Sequence, residues 1–149
     1  MISALSDRLR GTAERERVNP VCADLASVLV EDASLVVLNL TLQFIPPERR
    51  TDLLRAVRRG LVPGGALILS EKVCSGDPAE ERLLAALHED FKRANGYSEL
   101  EISQKRAALE RVLIPDTPEV LLDRLGDAGF AHRLRWFQCL GFISVLAWT

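Results

Sequence analysis

The sequence predicts an α/β fold: a partial open sheet with parallel inner strands, helices on both faces, and a C-terminal antiparallel β-hairpin. Three observations lead there. Leu35-Val36-Val37-Leu38 is a continuous apolar run of the kind buried on both faces of a parallel sheet, and Ala66 to Ser70 is a second. Between them Pro46 and Pro47 open a helix whose Leu53, Leu54 and Val57 recur at inward spacing. Strand, helix and strand within about forty residues make a right-handed parallel crossover. The tail FAHRLRWFQCLGFISVLAWT then reads as two strands, Leu134 to Gln138 and Phe142 to Trp148, turned at Leu140-Gly141.

The remaining elements follow in chain order. Residues 1 to 10 carry Ile2, Leu5 and Leu9 at spacings of three and four, which predicts a short amphipathic helix. Val18 to Cys22 is a weak strand broken by Pro20. Gly60 ends the crossover helix, and Val62-Pro63-Gly64-Gly65 makes a tight turn into the second apolar strand, leaving Glu71 and Lys72 at its carboxyl end. Asp77, Pro78 and Glu80 supply an N-cap, a first-turn proline and an N3 carboxylate, after which Leu84, Leu87 and Phe91 mark a buried stripe. Gly96 closes that helix. Ser98 with Glu101 spells a capping box for another, and Asp116-Thr117-Pro118 starts a last one through Leu121, Leu122 and Leu125, ended by Gly129. Trp136 and Phe137 alternate with polar residues, which predicts core packing.

With 149 residues, 48% hydrophobic and 27% charged, the chain suits one domain over residues 1–149 with a real core. A net charge of −2 offers no global basic field, so direct nucleic-acid binding is not expected. Cys22, Cys74 and Cys139 lack the paired spacing of a zinc site and read as buried thiols of a reducing compartment. The opening MISALSDRLR has no signal-peptide core, and no window is apolar for long enough to span a membrane, so the expected location is cytoplasmic.

The stretch from His88 to Arg106, HEDFKRANGYSELEISQKR, is where ligand chemistry is expected. It packs charge, amides and a glycine into helix ends, with more directed hydrogen bonding than a fold needs. The competing reading is a solvated helical hairpin. His88 is a candidate proton carrier, although a helix-face histidine is more often structural, and His132 has less claim.

Four blocks, VVLNLTLQFIPP, VPGGALILSEK, HEDFKRANGYSELEISQKR and RWFQCLGF, spanning Val36 to Phe142, resemble the carboxy-S-adenosyl-L-methionine synthases. These belong to the class I S-adenosylmethionine (SAM)-dependent methyltransferase superfamily. The resemblance implies a Rossmann-like class I SAM-methyltransferase sheet that lacks its first two strands, and the reaction of SAM with prephenate to give carboxy-SAM, phenylpyruvate and water. It also implies a supply of carboxy-SAM for wobble-uridine modification of tRNA, no metal, and a homodimer in the full-length family.

For cofactor binding the resemblance implies Asp24 beside the adenine, Leu25 as backbone donor and apolar wall, and Asn39 at the carboxyl edge of the sheet. Ala23 stands where the family usually has Gly. Arg106 is the sharpest assignment, because a SAM bearing an extra carboxylate needs a cation, and a guanidinium pairs with that group through two charge-assisted bonds. Tyr97, Lys92, Arg93 and Glu71 are expected to support the site or the dianionic substrate, without individual roles.

The Gly-rich loop and ribose-binding acid of a class I methyltransferase do not precede Val18, and no GxG occurs in the sequence. The expectation is therefore a partial gene product or truncated form that binds SAM poorly alone and leaves Leu35 to Asn39 as a bare sheet edge. An ordinary small-molecule methyltransferase is one alternative. A noncatalytic remnant that associates through its exposed edge is another.

Overall fold

A computed structural model describes residues 2–109 and 112–149. Its described residues form five α-helices and a four-stranded sheet: α1 (Ile2–Leu9), β1 (Ala33–Asn39), α2 (Pro47–Gly60), β2 (Leu61–Lys72), α3 (Pro78–Ala94), α4 (Glu99–Leu109), α5 (Pro118–Asp127), β3 (His132–Cys139) and β4 (Phe142–Trp148). The sheet order is β1-β2-β4-β3. β1 and β2 run parallel, and β4 joins β2 antiparallel before turning back to β3. The parallel crossover and the terminal hairpin thus stand as the sequence predicts.

Register divides the sheet into two unlike faces, because residues paired across strands point the same way. On one face Leu38, Leu69 and Val145 lie in a row beside Val36, Leu67 and Ala147. Against it pack Leu54 and Val57 of α2 with Leu121 and Leu125 of α5, all buried. The other face carries Val37, Ile68, Leu146 and Leu134 in one row and Leu35, Ala66 and Trp148 in the next. Helices lie on both faces, but α3 and α4 reach only the carboxyl end of this second one, where His88 of α3 meets Phe142 edge to face at 5.2 Å.

Several expectations are corrected. Val18 to Cys22 forms no strand: Pro20 removes a donor, and among the described residues no neighbouring strand offers it a ladder. Leu35 and Val37 are 52% and 56% exposed, so β1 is an edge strand buried on one face alone. Pro63-Gly64-Gly65 is a bulge within β2 rather than a turn ahead of it, since Ala33 pairs with Leu61 but Leu35 with Ala66. Gly64 takes φ +78°, and a Cβ on Gly65 would sit 2.9 Å from the Val62 carbonyl oxygen.

The stripe Leu84, Leu87 and Phe91 is not buried. Leu84 is half-buried, and Leu87 and Phe91 are exposed, because α3 touches the rest of the molecule through His88, Glu89 and Lys92 instead. Trp136 and Phe137 are exposed, as the β3 register slips between Arg135 and Phe137 and every residue of that edge strand faces solvent. Cys22 and Cys139 are exposed and Cys74 half-buried, so the thiols are not core residues.

Candidate functional site: a cationic cavity under the helical hairpin

The hairpin of α3 and α4 is built by its own polar residues. Asp77 Oδ1 accepts from the Ala79 amide at 2.7 Å to start α3, and Gly96 at φ +84° ends it. Ser98 and Glu101 then form the expected reciprocal cap, with the Ser98 amide donating to Glu101 at 2.8 Å. Arg93 ties the two helices together through Glu99, Asp90 and Glu89. Glu99, chiefly through its hydrogen bond, and then Asp90 raise the guanidinium's pKa.

Between this hairpin and the carboxyl ends of β1 and β2 lies a cavity of about 550 Å³, large enough for a small molecule. Leu40, Phe44, Leu113 and Phe142 give it apolar walls, and Lys72, Lys92, Lys105 and Arg106 ring it with cations. Glu89 is the acid in the lining, held by Arg106 at 3.1 Å. Burial pushes the Lys92 ammonium below its ordinary pKa, and Lys105 adds to that by repulsion. His88 is lowered first by burial and then by Lys92, Lys72 and Lys105. Cations that repel each other this way favour an anion among them.

The opposite wall is set by a buried polar network. The Glu71 carboxylate, 3% exposed, accepts the backbone amides of Leu42, Thr41 and Gln43 at 2.7, 3.0 and 3.2 Å. It fixes the 3-10 turn Leu42–Phe44 that follows β1. Burial raises the Glu71 pKa, while those amides and Arg50 pull it the other way. Gln43 in turn accepts from the Lys72 amide at 3.0 Å. Arg50, also buried, donates to Ile45 and Ile114 carbonyls and pairs with Asp116 at 2.9 Å. Asp116 is shared with Arg124 of α5 at 2.8 Å.

The structure brings together only part of the expected site. Arg106 and Lys92 line the cavity, with Leu40, the residue after Asn39, across from them. Asn39 itself is exposed at the end of β1, its carbonyl accepting from the Thr41 hydroxyl at 3.0 Å. Asp24 is exposed and Leu25 packs beside the core; neither lines this cavity. Arg93 is occupied by the three hairpin carboxylates, and Tyr97 is exposed outside the lining. Sequence reading gave Lys72 no role and expected Glu71 to support the site or the substrate, where it instead holds the turn after β1. The signal available was their adjacency at the end of an apolar strand, where one side chain enters the core and the next turns to the cavity.

Solved structures with a similar fold include SAM-dependent methyltransferases. PigF with SAH superposes with a TM-score of 0.68 over 99% of this chain and 40% of its own, at 21% identity. Human N-acetylserotonin methyltransferase in complex with SAM gives 0.60 over 95% and 36%, at 16% identity. The fold is that of a class I SAM-dependent methyltransferase.

Sequence narrows this further. The chain is 56% identical to the carboxy-S-adenosyl-L-methionine synthase of Geobacter metallireducens over 136 residues, 91% of this chain and 56% of that protein. It is 49% identical to that of Shewanella oneidensis over 147 residues, 99% of this chain and 60% of that protein. Over the part of their length that it spans, little more than half, this chain is similar in sequence to the carboxy-S-adenosyl-L-methionine synthases. A scan against protein-family models finds no match.

Proposed function

We propose that this chain carries the carboxylate-holding half of a carboxy-SAM synthase, acting on SAM and prephenate to give carboxy-SAM, phenylpyruvate and water. One observation carries this reading: four cations surround a cavity whose lining holds a single acid. A plain methyl donor has no use for such a field, whereas a dianionic substrate and a carboxylated product both do.

SAM, when bound, supplies the sulfonium-linked methyl carbon that receives the carboxyl group. Arg106 holds that carboxylate through its guanidinium, exchanging its contact with Glu89 for the ligand. Lys92, Lys105 and Lys72 hold the carboxylates of prephenate. His88, kept neutral by its surroundings, is placed to accept a proton on binding of an anion. The apolar walls exclude water from the reacting carbon. Asp24, Leu25 and Asn39 serve the adenosine end, at the carboxyl edge of the sheet. Arg93 acts on the hairpin and not on the substrate. The full protein works in the cytoplasm as a homodimer and feeds wobble-uridine modification of tRNA without touching RNA itself.

The test supplies SAM and prephenate to this chain together with the stretch of the Geobacter metallireducens synthase that it does not match, and weighs the products. A species heavier than SAM by one CO₂, lost on Arg106→Ala, is expected. Methyl transfer to an acceptor instead would replace this reading with that of an ordinary methyltransferase.

A further inference from the structure

We infer that Glu89 masks Arg106, so that a dianionic substrate settles on the lysines and the guanidinium stays reserved for a carboxylate formed on the cofactor beside it. The inference rests on the synthase reading above, and deepens it by naming the residue that sorts one carboxylate from another. Of the four cations in the lining, Arg106 alone has a carboxylate within ion-pair distance among the described residues, with Glu89 Oε1 lying 3.1 Å from its Nη2. Lys72, Lys92 and Lys105 have none there. An entering dianion therefore meets three uncovered ammonium groups and one guanidinium whose charge is already answered.

Local geometry makes the mask removable. Glu89 follows His88 on α3 and its side chain is 23% exposed, whereas that of Arg106, on α4, is 66% exposed. A single contact to so exposed a guanidinium is weak, which leaves Arg106 able to turn to a competing acid. Glu89 is not stranded when that happens. Its Oε2 lies 3.4 Å from Nη2 of Arg93, a cation fixed by Asp90 at 2.7 Å and by Glu99 across the hairpin. The Glu89 carboxylate also favours the charged forms of His88 and Lys92, against the burial and lysine repulsion that disfavour them, so its field acts inside the ring.

Charge sorting follows from this layout. A guanidinium pairs with any carboxylate through two parallel bonds, so an uncovered Arg106 would draw either acid group of the substrate as readily as one attached to the cofactor. With Glu89 in place, a free acid must displace a carboxylate to reach Arg106 but none to reach the lysines. A carboxylate formed on a cofactor already bound competes with Glu89 intramolecularly, at an effective concentration that a free acid does not reach.

The experiment titrates this chain and its variants with prephenate and follows Arg106 Nε, Lys92 Nζ and the His88 ring by nuclear magnetic resonance. In the unsubstituted chain the lysine and histidine signals should shift while Arg106 Nε stays. Glu89→Gln should bring Arg106 Nε into the response and lower the dissociation constant at least about fivefold, a gain that shrinks at high salt. Adding Arg106→Gln should remove that gain, and Asp90→Asn, which loosens Arg93 without touching Arg106, should not produce it. Unchanged or weaker binding in Glu89→Gln would mean that the carboxylate only props the hairpin, and overturns the proposal. A gain that survives Arg106→Gln reports net charge alone and overturns it too, as does an Arg106 Nε that responds to prephenate with Glu89 intact. The synthase reading is decided by the mass of the product, so the two fail separately.

Discussion

Glu71 shows how much one side chain sets. Its carboxylate collects three consecutive backbone amides from the turn after β1, and so holds the wall that carries Leu40 and Phe44 against the cavity. Removing it leaves buried donors unpaired, and Glu71→Ala should cost about 2–3 kcal/mol in chemical denaturation. Weakened anion binding should accompany that loss. His88 gives a second measurement at this scale. Its pKa lies below the ordinary 6.5 because burial and three lysines disfavour the imidazolium. A depressed folded-state value means that the unfolded chain binds more protons, so the contribution of His88 to stability is present above 6.5 and is lost as pH falls through the folded value. Nuclear magnetic resonance should find the ring titrating below 6.5 in the free protein and moving upward when a dicarboxylate fills the cavity. A value at or above 6.5 in the free protein would contradict this arrangement.

Between elements, the coupling runs through Asp116. It joins Arg50 of α2 to Arg124 of α5, while Arg50 also reaches the carbonyls of Ile45 and Ile114 on the segments flanking the cavity. Breaking a buried ion pair by deleting one partner strands the other charge, so Asp116→Ala should destabilise by about 3–5 kcal/mol. Replacement by Asn, which keeps a hydrogen-bond acceptor, should cost less. The α3–α4 hairpin behaves differently. Its Arg93 pairs are exposed, and their effect on stability should be small and should vanish at high salt. A salt-insensitive loss on Arg93→Ala, seen in paired melts, would mean that the hairpin is held by something other than these charges.

For the molecule as a whole, two features sit side by side: a cavity ringed by cations and a sheet with one face half covered. Among the described residues no glycine-rich loop faces the cavity, and Asp24 and Leu25 lie outside its lining. Calorimetric titration should therefore show weak or undetectable SAM binding to this chain alone, and binding should tighten with the added stretch of a relative. One tight site on the chain by itself would show that the cavity suffices without further polypeptide.

Local signals were legible because they act over a few residues. The caps at Asp77, Ser98 and Thr117, the glycine terminations and the apolar strands all stand where periodicity and hydrogen-bonding chemistry put them. Arg106 and Lys92, whose charge had no place in a core, line the cavity. Burial was not legible. Nothing in the apolar runs of β1 and β3 distinguishes a strand covered on two faces from one covered on a single face, because the covering layer is distant in sequence. Stripes of leucine on α3 look alike whether they face a core or solvent. The amino-acid order by itself determined the helix caps, the glycine terminations and the apolar runs that become strands. Tertiary structure alone decided that Glu71 and Arg50 turn inward as anchors, that Lys72 and Lys105 join the cation ring, and that one sheet face stays open. Those outcomes depend on which elements pack together, a long-range choice that no local run of residues encodes.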